Sequence, residues 1–82
     1  MKIAIRYFAS VREALGSGET VDTQAATLAD LRDELIARGE PHATALARGR
    51  AVRMALDQTM RVESTALHDG GEVAFFPPVT GG

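Results

Sequence analysis

The 82-residue chain has no cysteine and no tryptophan, and its single lysine is Lys2. Without cysteine there is no disulfide framework, no thiolate metal site and no cysteine nucleophile. Apolar runs extend only a few residues, far short of the roughly 20 that cross a bilayer. The start, Met1-Lys2-Ile3-Ala4-Ile5-Arg6, lacks the apolar stretch of a signal peptide. A basic stripe is missing too: net charge is −2 and the pI about 5.6, which argues against a nucleic-acid partner. Length leaves room for one core and not for a second domain or an enclosed pocket around a large cofactor. These absences together fit a soluble cytoplasmic protein. Hydrophobic content of 45% and charged content of 24% are ordinary for a folded domain and argue against disorder.

Patterning supplies the elements. Residues 2–8 alternate, with Ile3, Ile5 and Tyr7 on one face and Lys2, Ala4, Arg6 and Phe8 on the other, which predicts a half-buried strand. Ser10 and Glu13 have capping-box spacing and Gly16 suits a helix end, predicting a short helix over 10–15. Residues 18–24, centred on Val21, predict a second strand. Thr27 with Asp30 starts the longest helix, whose apolar face carries Leu28, Leu31 and Leu35 and which stops at Gly39-Glu40-Pro41. A further short helix is expected over 41–48. Residues 51–57 read as a strand with Val52, Met54 and Leu56 together, Asp57-Gln58 as a tight turn and 59–63 as the return strand. Asp69-Gly70-Gly71 is a turn, and Glu72 to Phe76 is a last strand that Pro77-Pro78 stops. The order is β, α, β, α, β, β, β. It predicts an α+β fold: a mixed sheet of about five strands with one main helix on one face, the outline of a β-grasp. That outline, and not the periodicity, implies first and last strands side by side at its centre. The domain is expected over 1–76 and a flexible tail over 77–82.

Catalytic equipment is sparse. His42 and His68 have no ligand-spaced partners, so a structural or solvated role is expected and no metal site. Ser10, Ser17 and Ser64 lack a nucleophile elbow. Gly16-Ser17-Gly18 lacks the lysine of a phosphate loop. Asp30, Asp33 and Glu34 read as a solvated, dipole-favoured helix start.

The end of the chain is different. Gly81-Gly82 contributes no packing and would lose much entropy if ordered. A terminal carboxylate flanked by no side chains suits a narrow site on another protein. Pro77-Pro78 stiffens the exit, and the six residues from Pro77 to Gly82 reach about 20 Å when extended. By alternation Phe8 and Phe76 share the sheet face opposite Ile3, Ile5, Val73 and Phe75. An exposed aromatic pair there suits a partner anchor, and a place in the core is the alternative. The face of Met60 is ambiguous. Arg12 suits either an acidic partner or a solvated helix surface.

Several segments resemble one family. They are Tyr7-Phe8-Ala9-Ser10-Val11-Arg12-Glu13 with Leu15-Gly16, Thr27-Leu28 with Leu31-Arg32, Leu56-Asp57-Gln58, and the whole stretch from Leu67 through Phe75-Phe76-Pro77-Pro78-Val79-Thr80-Gly81-Gly82. Together they resemble the small subunits of molybdopterin synthase, the MoaD-type sulfur carriers of the ubiquitin-like β-grasp group. Gly71 stands where that family has a second acid, and Asp57 where it often has asparagine; both lie in turns. The resemblance implies that a ubiquitin-activating-like adenylyltransferase uses ATP and magnesium to adenylate the carboxyl of Gly82. Sulfur then replaces AMP to give a thiocarboxylate, which converts cyclic pyranopterin monophosphate toward the dithiolene of molybdopterin. It further implies partner contacts through Phe8, Met60, Phe76, Pro77, Pro78, Val79 and Thr80, with Gly81 and Gly82 reacting. A heterotetramer of two small and two large subunits is implied, with the acid, base and binding groups on the large subunit and no permanently bound cofactor. Two relatives in mechanism remain as alternatives: a sulfur carrier for thiamine thiazole, and a ubiquitin-like modifier of other proteins.

Overall fold

The chain is built as β1 (Lys2–Tyr7), α1 (Ala9–Leu15), β2 (Gly18–Asp22), α2 (Leu28–Ile36), α3 (His42–Ala45), β3 (Arg53–Leu56), β4 (Thr59–Met60) and β5 (Glu72–Phe76). This is a computed structural model, and it describes residues 1–78. One five-stranded mixed sheet has the order β2-β1-β5-β3-β4. The expected β-grasp architecture is present, with β1 and β5 parallel and side by side at the centre.

Period-two alternation decides the two faces of the sheet. Ile3, Ile5, Tyr7, Met54, Leu56, Val73 and Phe75 are buried on the inner face. Leu28, Leu31 and Leu35 of α2 close that core, each with no exposed surface. Tyr7 and Phe75, direct partners in the β1–β5 register, stack with ring centroids 6.1 Å apart. Truncating one of these fully buried leucines to alanine would cost about 2–5 kcal/mol.

Helix α2 starts as the capping-box spacing predicts: the Thr27 hydroxyl accepts the Asp30 N–H at 3.2 Å. Helix α1 does not. Its cap is Phe8, with no side-chain bond, and Ser10 lies inside the helix. The chain turns from β1 into α1 through Ala9, whose φ is +52°, so the helix begins one residue before a serine cap could act. At its other end the Gly16 N–H bonds the Arg12 carbonyl, with the positive φ that favours glycine there.

Other boundaries are tighter than the patterns suggest. Strand β2 ends at Asp22, α3 is one turn from His42 to Ala45, and β3 runs only from Arg53 to Leu56. Strand β4 keeps two residues of the expected five because its partner β3 is short and β4 lies at the sheet edge. Asp57 and Gln58 both have positive φ, 51° and 68°, as the two-residue turn that matches strand twist requires.

Candidate functional site

Among the described residues no helix packs on the sheet's outer face, and the composition of that face follows from the register. Phe8 follows β1 on the same face as Arg6, while Phe76 ends β5 with Arg53 opposite it on β3. Ala55 pairs with both Ala74 and Met60, so Met60 joins this face as well. Phe8 is 41% exposed and Met60 is 63% exposed, whereas Phe76 is half-buried. None of the three is a core residue. Between them lie Ala4, Ala55 and Ala74, so the centre of the face is shallow and the large side chains stand around it.

Two interactions hold the aromatic end in place. The Phe8 N–H donates to the Phe75 carbonyl at 3.1 Å, continuing the β1–β5 ladder one residue past the strand. The Arg6 guanidinium sits 5.6 Å from the centroid of the Phe8 ring, a cation–π distance. Strand β5 then leads into Pro77 and Pro78, both half-buried. Pro77 borders a groove with Ser10, Val11, Ala45, Arg50 and Val52. Val79, Thr80, Gly81 and Gly82 lie outside the described residues.

Polar groups elsewhere are occupied by structural work. The Tyr7 hydroxyl donates to Glu19 at 3.1 Å, and Arg38 donates to the same carboxylate at 2.8 Å. Burial, then Glu19, pushes the Tyr7 hydroxyl far above its ordinary range. Burial alone would raise the Glu19 carboxyl, but hydrogen bonds from Arg38 and Tyr7 outweigh it and hold the group below its usual value. The His42 Nε2 lies 3.6 Å from Glu19, too far for a hydrogen bond. His68 Nε2 meets Asp57 Oδ2 at 2.6 Å, while Asp57 Oδ1 accepts the Glu72 N–H at 3.0 Å. Asp57 is lowered by the Glu72 N–H and then by His68, and His68 is raised by Asp57. Neither histidine is hydrogen-bonded to a serine among the described residues, and none of those residues group three metal-binding side chains. Two acids of α2 are likewise engaged, Asp33 with Arg48 at 2.8 Å and Glu34 with the Thr23 hydroxyl at 2.6 Å, while Asp30 is exposed in the first turn.

The sequence patterns miss Arg32. Its side chain is 5% exposed, and it donates to the Leu46 carbonyl, the Ala47 carbonyl, the Arg50 carbonyl and Glu63. The signal was present: Arg32 stands four residues after Leu28 and three before Leu35, on the buried face of α2.

Comparisons with known proteins place the chain. The ThiS family model matches residues 5–82. The molybdopterin synthase sulfur carrier subunit of Escherichia coli (strain K12) is 42% identical over 81 residues, covering 98% of this chain and 99% of that protein. Small archaeal modifier protein 3 of Haloferax volcanii is 35% identical over 97 residues, covering all of both chains. Among solved structures, the crystal structure of SAMP1 from Haloferax volcanii superposes with a TM-score of 0.75 at 27% identity, covering both chains in full. No described helix is long and apolar enough to cross a membrane.

Proposed function

This chain belongs to the ThiS family, and from that premise we propose that it is the sulfur-carrier subunit of a molybdopterin synthase. The observation that carries the reading is its 42% identity, over nearly the whole of both chains, to a molybdopterin synthase sulfur carrier subunit. The geometry agrees with a carrier. The central strand β5 runs directly into the terminal arm, beside an outer face that presents Phe8, Phe76 and Met60.

In this reading the arm carries the chemistry. A carboxylate is a poor electrophile. An adenylyltransferase of the ubiquitin-activating type, with ATP and magnesium, joins the Gly82 carboxyl to AMP and releases pyrophosphate. A sulfide equivalent then displaces AMP and leaves a thiocarboxylate, a soft nucleophile on a slim arm. The synthase large subunit receives that arm, and the sulfur passes to cyclic pyranopterin monophosphate. The chain's own residues supply a rigid body, a docking face and a stiff Pro77-Pro78 exit, while acid, base and substrate-binding groups belong to the partners. Docking through Phe8, Phe76 and Met60 buries apolar area at the centre of the contact, where aromatic anchors contribute most. Val79 and Thr80 lead the glycines into the cleft. Two carriers and two large subunits make the assembly.

The test is mass spectrometry of the chain after incubation with the adenylyltransferase, ATP, magnesium and a sulfur donor. The expected result is a gain equal to the difference between sulfur and oxygen, confined to the C-terminal peptide. An unchanged mass at Gly82 under conditions that charge a known carrier would overturn the proposal.

The match to small archaeal modifier protein 3 favours a second reading, in which the same activated carboxyl joins amines of other proteins. Larger adducts that carry this chain through an isopeptide bond would support it. With Lys2 its only lysine, the chain is a poor substrate for lysine-linked polymers of itself, while single conjugation to other proteins stays open.

A further inference from the structure

The eight arginines divide into two groups by what they contact. Arg32, Arg38 and Arg48 are consumed internally by Glu63, Glu19 and Asp33. Arg6, Arg12, Arg50, Arg53 and Arg61 are all exposed and form no ion pair among the described residues. These five are not scattered. Arg6 lies one residue before the end of β1 and over the Phe8 ring. Arg12 is in the last turn of α1, its backbone N–H bonded to the Phe8 carbonyl. Arg50 borders the groove that holds Pro77. Arg53 is the register partner of Phe76. Arg61 follows Met60, its N–H bonded to the Met54 carbonyl, and shares a groove with Arg53. Arg6, Arg50, Arg53 and Arg61 stand around the end of the sheet that leads into Pro77, and Arg12 is on the helix that follows β1 there.

The acids offset them only in part. Glu63 is held by Arg32 and Arg48. Glu40 accepts the neutral Thr44 hydroxyl, which leaves its charge in place, and it lines a pocket with Arg50, while Glu13 lies on α1. At the opposite end of the outer face, Asp22 pairs in register with Lys2, and Glu72 begins β5. A chain with net charge −2 therefore carries a cationic ring at one pole.

We propose that this ring is an electrostatic docking collar that fits an acidic rim around the tail-accepting cleft of the partner protein. The proposal rests on the sulfur-carrier reading and names the chemistry of the partner surface that reading requires. Charge complementarity argues for the occupant. Apolar contact with Phe8, Phe76 and Met60 supplies affinity without direction, whereas a ring of fixed positive charge orients the encounter before contact. Carboxylates on the partner would meet the guanidiniums in paired, planar contacts that lysine would make less well. The collar encircles the arm's exit, so correct orientation also aims the arm at the cleft.

The experiment measures the association rate of the full chain with the synthase large subunit of the same organism by stopped-flow fluorescence. Salt is varied from about 0.01 M to about 1 M, across which the screening length shrinks from about 30 Å to about 3 Å. The wild-type rate is expected to fall steeply with salt, and the Arg53→Glu/Arg61→Glu variant to associate about tenfold more slowly at low salt. Arg53→Gln/Arg61→Gln should fall between the two, and it replaces the reversed pair should circular dichroism show that pair to be unfolded. Arg38→Gln, which breaks a pair inside the chain, should leave the rate unchanged. A complex whose formation is insensitive to salt and to charge reversal overturns the collar and leaves the sulfur-carrier reading standing. Retained subunit association with lost binding of a short single-stranded DNA overturns it in favour of a nucleic-acid partner. No complex with wild-type chain overturns the sulfur-carrier reading, and the collar with it.

Discussion

Arg32 donates from Nε to the Leu46 carbonyl at 2.8 Å, tying the middle of α2 to the end of α3. The same guanidinium reaches the Ala47 and Arg50 carbonyls and Glu63 at 2.9 Å. One planar group thus satisfies the carbonyls that close α3 and the loop leading toward Pro77 and β3. A buried charge is tolerated here because each of its three nitrogens has an acceptor, and removing it would leave the Leu46, Ala47 and Arg50 carbonyls without that donor.

Arg32→Ala should therefore destabilise the fold by about 1–3 kcal/mol, the cost of leaving buried acceptors unpaired, because Glu63 keeps Arg48. Arg32→Lys should recover only part of this, because an ammonium lacks the planar fork that reaches all four acceptors. Urea unfolding followed by circular dichroism measures both. An alanine variant as stable as wild type would mean that water replaces the guanidinium.

The Asp57–His68 pair makes stability depend on pH. His68 is raised above its ordinary 6.5, so its contribution is complete below that value and is lost as pH rises through the folded value. Asp57 is lowered below its ordinary 3.8, so its contribution is complete above that value and is lost as pH falls through the folded value. The pair stabilises most between those two ordinary values. Melting temperatures of wild type and His68→Gln should differ most in that window and converge above it. Because both groups are exposed, the difference should be small.

Gly18 holds β2 against β1 with no room for a side chain. A Cβ there would stand 2.3 Å from the Ile5 carbonyl oxygen, which is backbone and fixed by the ladder. Gly18→Ala should cost about 1–3 kcal/mol by forcing the two strands apart. Gly49→Ala, which meets nothing within 4 Å, is the matched control in the same thermal melts.

Phe8→Asp and Phe76→Asp should weaken binding to the large subunit while leaving the sheet folded, with the larger effect on stability at half-buried Phe76. An anchor at the centre of an interface is worth upward of about 2 kcal/mol, or roughly a thirtyfold loss of affinity, by isothermal titration calorimetry. Unchanged affinity for both variants would move the docking face elsewhere.

Deleting Gly81-Gly82 should abolish formation of the thiocarboxylate and leave the melting temperature within about 1 °C of wild type, since two terminal glycines bring no side chain to a core. A truncated chain that unfolds would make the tail structural.

Local rules were enough for much of this. Alternation in 2–8 and 72–76 separated Ile3, Ile5, Tyr7, Val73 and Phe75 from Arg6, Phe8 and Phe76, because successive side chains of a strand must point to opposite faces. Thr27 and Asp30 marked the start of α2, and Asp57-Gln58 and Gly70 marked turns, because caps and positive φ are decided within a few residues. The segments from Tyr7 to Gly16 and from Leu67 to Gly82 sufficed for the family.

Long-range return of the chain decided the rest. Met60 lies in a strand too short to show a period, and only its pairing with Ala55 puts it beside Phe76. Ser10 looked like a cap until the turn at Ala9 brought the helix start forward to Phe8. Arg32 and Arg53 are the same residue type, yet one is enclosed by the α3 carbonyls and the other left open opposite Phe76. Charge is written in the sequence, but which charges neutralise one another is not. Ion pairing depends on distances between segments tens of residues apart, and those distances exist only once the sheet has closed around β1 and β5.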